Sequence, residues 1–233
     1  MKLYMIRHGQ TTCNVAGKHQ GWGPVSLSEK GFEQARKAKE YVRTVNYDKI
    51  FVSDLLRTRQ TAEILFPEKY RAGELIFTED LREIDTGVFY GRTLEDMYRL
   101  YGDVYLDCRK KMDYSALGGE GSLDVKRRVR RFMNHLEEMA YESGGELKIA
   151  AVAHGGVKQL LLTLKEGQLG RGGAGVDDEN SVRHGGFLLS SFVPAGAFSR
   201  APQITILHYT KFFSVCKWLF TQKSRSFPHH DGE

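Results

Sequence analysis

Three short apolar runs punctuate the chain, and each stops at a polar or glycine-containing turn. Leu3 to Ile6 ends at Arg7-His8-Gly9, Lys49 to Val52 at Ser53-Asp54, and Ile149 to Ala153 at His154-Gly155-Gly156. Unbroken apolar runs of this length, bounded by turn signals, fit strands covered on both faces, as in a parallel sheet. Helical periodicity follows each of them. Ser26 and Glu29 have capping-box spacing ahead of Phe32, Ala35, Ala38, Val42 and Val45, which share one helical face. Leu55 to Leu65 reads as a second helix, ended by Pro67. Thr93 opens a third, with Leu94, Met97, Tyr98 and Tyr101 inward. Ser122 to Tyr141 is a fourth, striped by Val125, Val129, Phe132, Leu136, Met139 and Ala140 and closed by Gly144-Gly145. Val157 to Glu166 is a fifth, and "ELIFTED" (74–80) supplies a candidate fourth strand. This alternation predicts an α/β fold: one domain over 1–233, a mainly parallel sheet flanked by helices on both faces, and a small helical cap at about 90–120.

The pattern changes after Gly167. "GQLGRGGAGVDDEN" (167–180) is glycine-rich and polar and reads as a loop. "FLLSSFV" (187–193) and "QITILHY" (203–209) read as strands, arranged as a hairpin. The aromatic stretch "FFSVCKWLF" (212–220) is read as buried against the sheet or as a contact in a homodimer, and a basic tail follows it.

Composition narrows the class. With 41% hydrophobic and 27% charged residues, the chain has the make-up of a globular protein with its own core. Cys13, Cys108 and Cys216 are odd in number and show no paired spacing, which points to a reducing, cytoplasmic compartment. Arg7 and His8 interrupt the early apolar run, so no signal peptide is expected, and no run approaches the roughly 18 residues needed to span a bilayer. The net charge of +5 suits small anionic substrates and is too small to argue for nucleic acid.

Candidate chemistry gathers at the strand ends. In open parallel sheets, ligands sit beyond the carboxyl ends of the strands. His8, His154, Ser53 and Arg57 are thereby delivered to one edge. The tripeptide Arg-His-Gly recurs at Arg183-His184-Gly185, but after a polar stretch, so His184 reads as a turn in a loop. Phosphoryl transfer needs an in-line nucleophile and fixed donors on the phosphate oxygens. A neutral imidazole is such a nucleophile and forms a phosphohistidine. Arg7 and Arg57 match phosphate with their planar forks. Thr11 and Asn14 follow His8 closely enough to bond a phosphate oxygen, and Glu83 in "LREIDTGVFYG" can protonate a leaving oxygen.

The stretches "RHGQTTCN", "SLSEKGFEQA", "SDLLRTRQTAE", "LREIDTG", "GGEGSLDV" and "AVAHGGV" occur in the order found in the histidine phosphatase superfamily, and over about residues 1–165 the chain resembles that phosphoglycerate-mutase-like family. The resemblance implies that His8 is phosphorylated and that His154 is its partner in the phosphate pocket. It implies Arg7, Arg57, Asn14 and Thr11 as phosphate ligands, with Gly155 lining the site. It makes Glu83 the acid in enzyme phosphorylation and then the base that activates water. No metal and no cofactor are implied. The chain departs from the family where Gly119-Glu120-Gly121-Ser122 replaces Gly-Gly-Glu-Ser, where Tyr90 stands for an acidic residue, and where Gln10 stands for glutamate. From Gly167 onward it does not align.

A phosphatase acting on a small phosphomonoester, of the sugar-phosphate or α-ribazole-phosphate type, is preferred over a cofactor-dependent phosphoglycerate mutase. The connection Arg92 to Leu117 is shorter than the insertion such mutases carry. A cysteine phosphatase is excluded, because six residues after Cys13, Cys108 and Cys216 stand His19, Tyr114 and Gln222 rather than arginine. A non-catalytic anion- or nucleic-acid-binding protein of the same fold would draw on "KRRVRR" (126–131), here read as the solvated face of an amphipathic helix. "GRGGAG" (170–175) follows a helix rather than a strand and so lacks the context of a phosphate cradle.

Overall fold

A computed structural model of the chain describes residues 1–144 and 146–161, together with the backbone of 203–206. His184, the glycine-rich 167–180 segment, the 187–193 strand and the 212–220 stretch lie outside the described residues.

The apolar runs form strands β1 (Lys2–Arg7), β2 (Lys49–Ser53) and β4 (Lys148–Ala153). Two more are β3 (Ile76–Thr78), from the "ELIFTED" segment, and β5 (Gln203–Ile206). Together they build one sheet in the order β3-β2-β4-β1-β5, and every pairing is parallel. Gln203–Ile206 reaches the sheet by parallel pairing with β1, and the proposed hairpin partner falls outside the described residues.

Both sheet faces are covered, which explains why the central strands are apolar at successive positions. Alternate residues point to opposite faces. Leu3, Met5, Phe51, Ile149 and Ala151 join one core with Met97, Tyr105, Val129, Phe132 and Leu136. Those partners come from α5 (Leu94–Lys111) and α6 (Ser122–Glu142). Ile6, Ile50, Val52, Ala150 and Val152 point the other way and are equally buried. On that side Tyr47 packs edge-on against Tyr4 and Phe66, just past the end of α3 (Leu56–Leu65).

Three helix readings shift. The helix after β1 and the short α1 (Thr12–Val15) is α2 (Glu29–Val42), and its cap is Ser28, whose hydroxyl accepts from Gly31 N at 3.1 Å. Ser26 instead belongs to an extended segment, with Leu27 bridged to Thr11. Pro67 ends α3 and also opens the one-turn α4 (Pro67–Arg71), where a missing N–H costs nothing. Tyr98 is exposed: Met97 takes the inward place, and the next residue lies about 100° further round the helix. Thr93 caps α5 through a capping box with Asp96, as its spacing predicts, and the helix is interrupted at Gly102.

Candidate active site

The carboxyl ends of β1 and β4, neighbours in the sheet, carry the two histidines. His8 continues the strand pairing, its N–H donating to Ala153 O at 3.1 Å. The imidazole rings of His8 and His154 stand 5.1 Å apart, and both side chains are buried.

Their hydrogen bonds fix what each nitrogen can do. His8 Nδ1 lies 2.7 Å from Gly9 O. A carbonyl only accepts, so Nδ1 carries the proton and Nε2 keeps its lone pair. His154 Nε2 is 2.8 Å from Ser53 Oγ at the end of β2, while its Nδ1 is buried without a partner among the described residues. A buried polar atom left unpaired is costly and marks a place where a ligand can bind.

Cationic groups surround this pair. Arg57, in the first turn of α3, is fully buried; its guanidinium donates to Gly21 O at 2.9 Å and Gly23 O at 3.3 Å, and its Nε has no partner among the described residues. Arg57 therefore braces the 21–23 loop with two nitrogens and keeps one for another ligand. Arg7 is exposed, and its guanidinium lies along Gly155, where a Cβ would stand 3.4 Å from Arg7 Cζ. Lys158, in the helical turn after His154, lies close enough to Arg7 for its pKa to be lowered, by burial first and by the Arg7 charge second. Sequence reasoning missed Lys158; its signal was a cation four residues beyond His154 on a helix that starts at the strand end.

Burial and the nearby charges hold both histidines neutral. Loss of solvation, then the Arg57 charge, lowers the His8 pKa to about 3, against the opposing bond to Gly9. His154 is pushed well below its ordinary value by burial and then by His8 and Arg57. Burial likewise lowers the Arg57 pKa to about 10, which leaves it charged at neutral pH. The site thus combines two uncharged imidazoles with fixed positive charge, a combination suited to a phosphate dianion.

Glu83 is half-buried and reaches the same edge from the loop after β3. Its Oε2 accepts from Gly156 N at 3.3 Å and its Oε1 from Ile84 N at 3.1 Å. A Cβ at position 156 would stand 2.5 Å from Glu83 Oε1, so the carboxylate fits there because residue 156 is glycine.

Thr11 and Asn14, the predicted phosphate ligands, are tied to each other in the turn after His8. Thr11 is fully buried and caps α1: its hydroxyl accepts from Asn14 N, and it lies 3.0 Å from Asn14 Oδ1 and 2.9 Å from Gln20 Oε1. Asn14 Oδ1 accepts in turn from Thr11 N at 3.1 Å. The pair holds the turn after His8, with Thr11 engaged within the protein. Arg128 was missed altogether. It lies inside "KRRVRR", yet it is buried and bonded to Glu120 and to the loop that carries Glu83. The solvated-face reading holds for Lys126, Arg127 and Arg131, which are exposed, and fails for Arg128.

Among the described residues, no group of three or more His, Cys, Asp or Glu side chains could hold a metal ion, and no helix is long and apolar enough to cross a membrane.

Comparison with known proteins finds relatives of the same fold. The adenosylcobalamin/α-ribazole phosphatase of Salmonella typhimurium is 31% identical over 163 residues, covering 70% of this chain and 78% of that protein. A 2,3-bisphosphoglycerate-dependent phosphoglycerate mutase of Methylorubrum populi is 30% identical over 169 residues, covering 71% and 79%. The crystal structure of the α-ribazole phosphatase from Shigella flexneri superposes with a TM-score of 0.61 at 28% identity, covering 70% of this chain and 78% of that one. The family model of the histidine phosphatase superfamily (branch 1) matches residues 3–171, and the chain belongs to that family.

Proposed function

We propose that the protein hydrolyses a small phosphorylated metabolite, of the sugar-phosphate or α-ribazole-phosphate type, through phospho-His8, without a metal or cofactor and in the cytoplasm. The observation that carries this reading is the tautomer of His8. Its Nδ1 proton is held by the Gly9 carbonyl, so the Nε2 lone pair is the free one, and the positive charges of Arg57 and Arg7 act on the ring.

In the first step Nε2 attacks phosphorus and the P–O bond to the leaving group breaks. Glu83, protonated, gives its proton to the departing oxygen. The Nδ1–H···O=C bond to Gly9 supports the positive charge that the imidazole gains. Arg57 Nε and His154 Nδ1, two buried nitrogens without a partner among the described residues, are the donors proposed for the phosphoryl oxygens, with Arg7 at the exposed side. In the second step Glu83, now a carboxylate, takes a proton from water as the water attacks phosphorus. The P–N bond breaks, phosphate leaves, and His8 returns to its neutral form. The relative from Methylorubrum populi keeps a mutase reading in play, in which the phosphoryl group is passed back to an alcohol rather than to water. The short 92–117 connection favours water.

The test is hydrolysis of p-nitrophenyl phosphate in EDTA by wild type, His8→Ala and His184→Ala, with acid-labile phosphohistidine trapped on rapid quenching. Wild type and His184→Ala are expected to turn over and His8→Ala to be inactive and unlabelled. Full activity in His8→Ala, or loss of wild-type activity in EDTA, overturns the reading. Transfer of phosphate to phosphoglycerate in place of release would favour the mutase.

A further inference from the structure

Arg128 is a buried cation on α6, and its guanidinium is fully engaged. Nε and Nη2 pair with Glu120 Oε1 and Oε2 at 2.7 and 2.9 Å, a bidentate ion pair. Nη1 donates to the carbonyls of Asp80 at 2.9 Å and Arg82 at 2.6 Å, and Nη2 to that of Glu83 at 3.1 Å. Glu120 completes the grip: its Oε2 accepts from Asp85 N at 3.0 Å, and its own N–H donates to Asp85 O at 3.0 Å. The Glu83 carbonyl also accepts from Trp22 Nε1 at 2.7 Å.

All these bonds to the backbone fall on the 80–85 segment, on both sides of Glu83. A buried ion pair is a poor way to gain stability, since apolar residues of the same volume usually do as well. What it does supply is direction. Five N–H donors in a rigid plane fix several carbonyls at once, which no apolar contact does. The segment holds no regular hydrogen-bonded strand or helix between the short turn at Glu79–Leu81 and the one at Gly87–Phe89, so its course depends on such outside partners.

We infer that Arg128 and Glu120 act as a positioning pair for the Glu83 carboxylate, fixing the 80–85 backbone so that Glu83 meets Gly156 at the mouth of the phosphate site. This rests on the phosphatase reading above, in which Glu83 supplies a proton to the leaving oxygen. Neither residue touches substrate; both act through Glu83. Misplacing an acid by about 1 Å can cost on the order of a hundredfold in rate.

Leaving-group dependence separates positioning of an acid from general damage. p-Nitrophenolate departs without a proton, whereas an alkoxide needs one. Arg128→Lys and Glu120→Gln are compared with wild type on p-nitrophenyl phosphate and on the best alkyl phosphate from a panel of sugar and glycerol phosphates. The quantity read is kcat/KM, which reports the first, phosphorylating step. The expected result is a loss of roughly 10- to 100-fold on the alkyl ester and less than about threefold on the aryl ester, the same signature as Glu83→Gln. Equal losses on both esters, or no loss on either, overturn the positioning pair while leaving the phosphatase reading intact. A wild type that hydrolyses no ester overturns that reading, and one that hydrolyses only the aryl ester leaves no proton for Glu83 to deliver; either result removes the pair's role. If Arg128→Lys does not fold, Glu120→Gln, isosteric at the same contacts, carries the comparison.

Discussion

At the scale of single residues, the site works by withholding charge from its histidines. His8 keeps a neutral ring because burial and Arg57 lower its pKa to about 3. In the unfolded chain the same ring titrates near 6.5. Between these values the unfolded state binds a proton that the folded state does not, so stability is complete above about pH 6.5 and falls as pH drops toward 3. His154 adds to the same slope, since its shift has the same sign. Urea unfolding at pH 7.5, 6 and 5 should show this loss in wild type and a shallower one in His8→Gln; identical slopes would show that His8 is not held neutral. That His8 and His154 gather at one edge was legible in the sequence because each follows an apolar run, and strand ends are where such sheets present ligands. Arg128 was hidden by its neighbours. A run of cations looks like a solvated face, yet position 128 is three residues after Val125 and four before Phe132, both buried. A charge placed in an apolar stripe is the signal that would have found it.

At the scale of elements, close backbone approach sets the geometry, and glycine permits it. A Cβ on Gly156 would meet Glu83 Oε1 at 2.5 Å, so Gly156→Ala must push the carboxylate aside. We expect kcat to fall by roughly 10- to 100-fold with KM little changed, as measured by steady-state kinetics; an unchanged kcat would mean that Glu83 stands elsewhere during turnover. Gly31, at the start of α2, lies against the turn after His8, where a Cβ would come within 1.9 Å of Gln10 O. Both sides of that contact are backbone, which yields less readily than a side chain. Gly31→Ala should cost about 1–3 kcal/mol or more in urea unfolding, and a neutral result would show that the turn relaxes freely. These contacts also explain why the start of α2 was misread. Ser26 has Glu29 three positions on, the capping-box signal, whereas Ser28 has Gly31, so local spacing favours the wrong serine. The choice is made by tertiary bonds: Ser28 N–H and Oγ both donate to the turn at Gln10, while Ser26 O accepts from Thr12 N.

At the scale of the whole molecule, the strand order explains why distant stretches of sequence make one site. β4 is inserted between β1 and β2, so the ends of the first, second and fourth strands meet at the centre of the sheet. The site therefore exists only when these pairings are formed, and a ligand that fills it binds the folded state alone. Orthovanadate, which takes up the five-coordinate geometry of phosphoryl transfer, should exploit Arg57 Nε and His154 Nδ1 together with the His8 lone pair. At a hundred times its dissociation constant, such a ligand stabilises by about 2.7 kcal/mol, which for a chain of this size raises Tm by about 5–10 °C. Thermal unfolding with increasing vanadate should show that rise in wild type. His8→Ala should lose most of it, because the covalent-like apical position is gone, and Arg57→Met should lose it as the charge that attracts the anion is removed. His184→Ala should keep the full shift. A wild type whose Tm does not move would mean that the two orphan nitrogens do not face one oxyanion, and the pocket would have to be sought away from the β1–β4 junction. A shift retained in His8→Ala but lost in Arg57→Met would keep the anion site and remove His8 from the apical place, and with it the phosphohistidine.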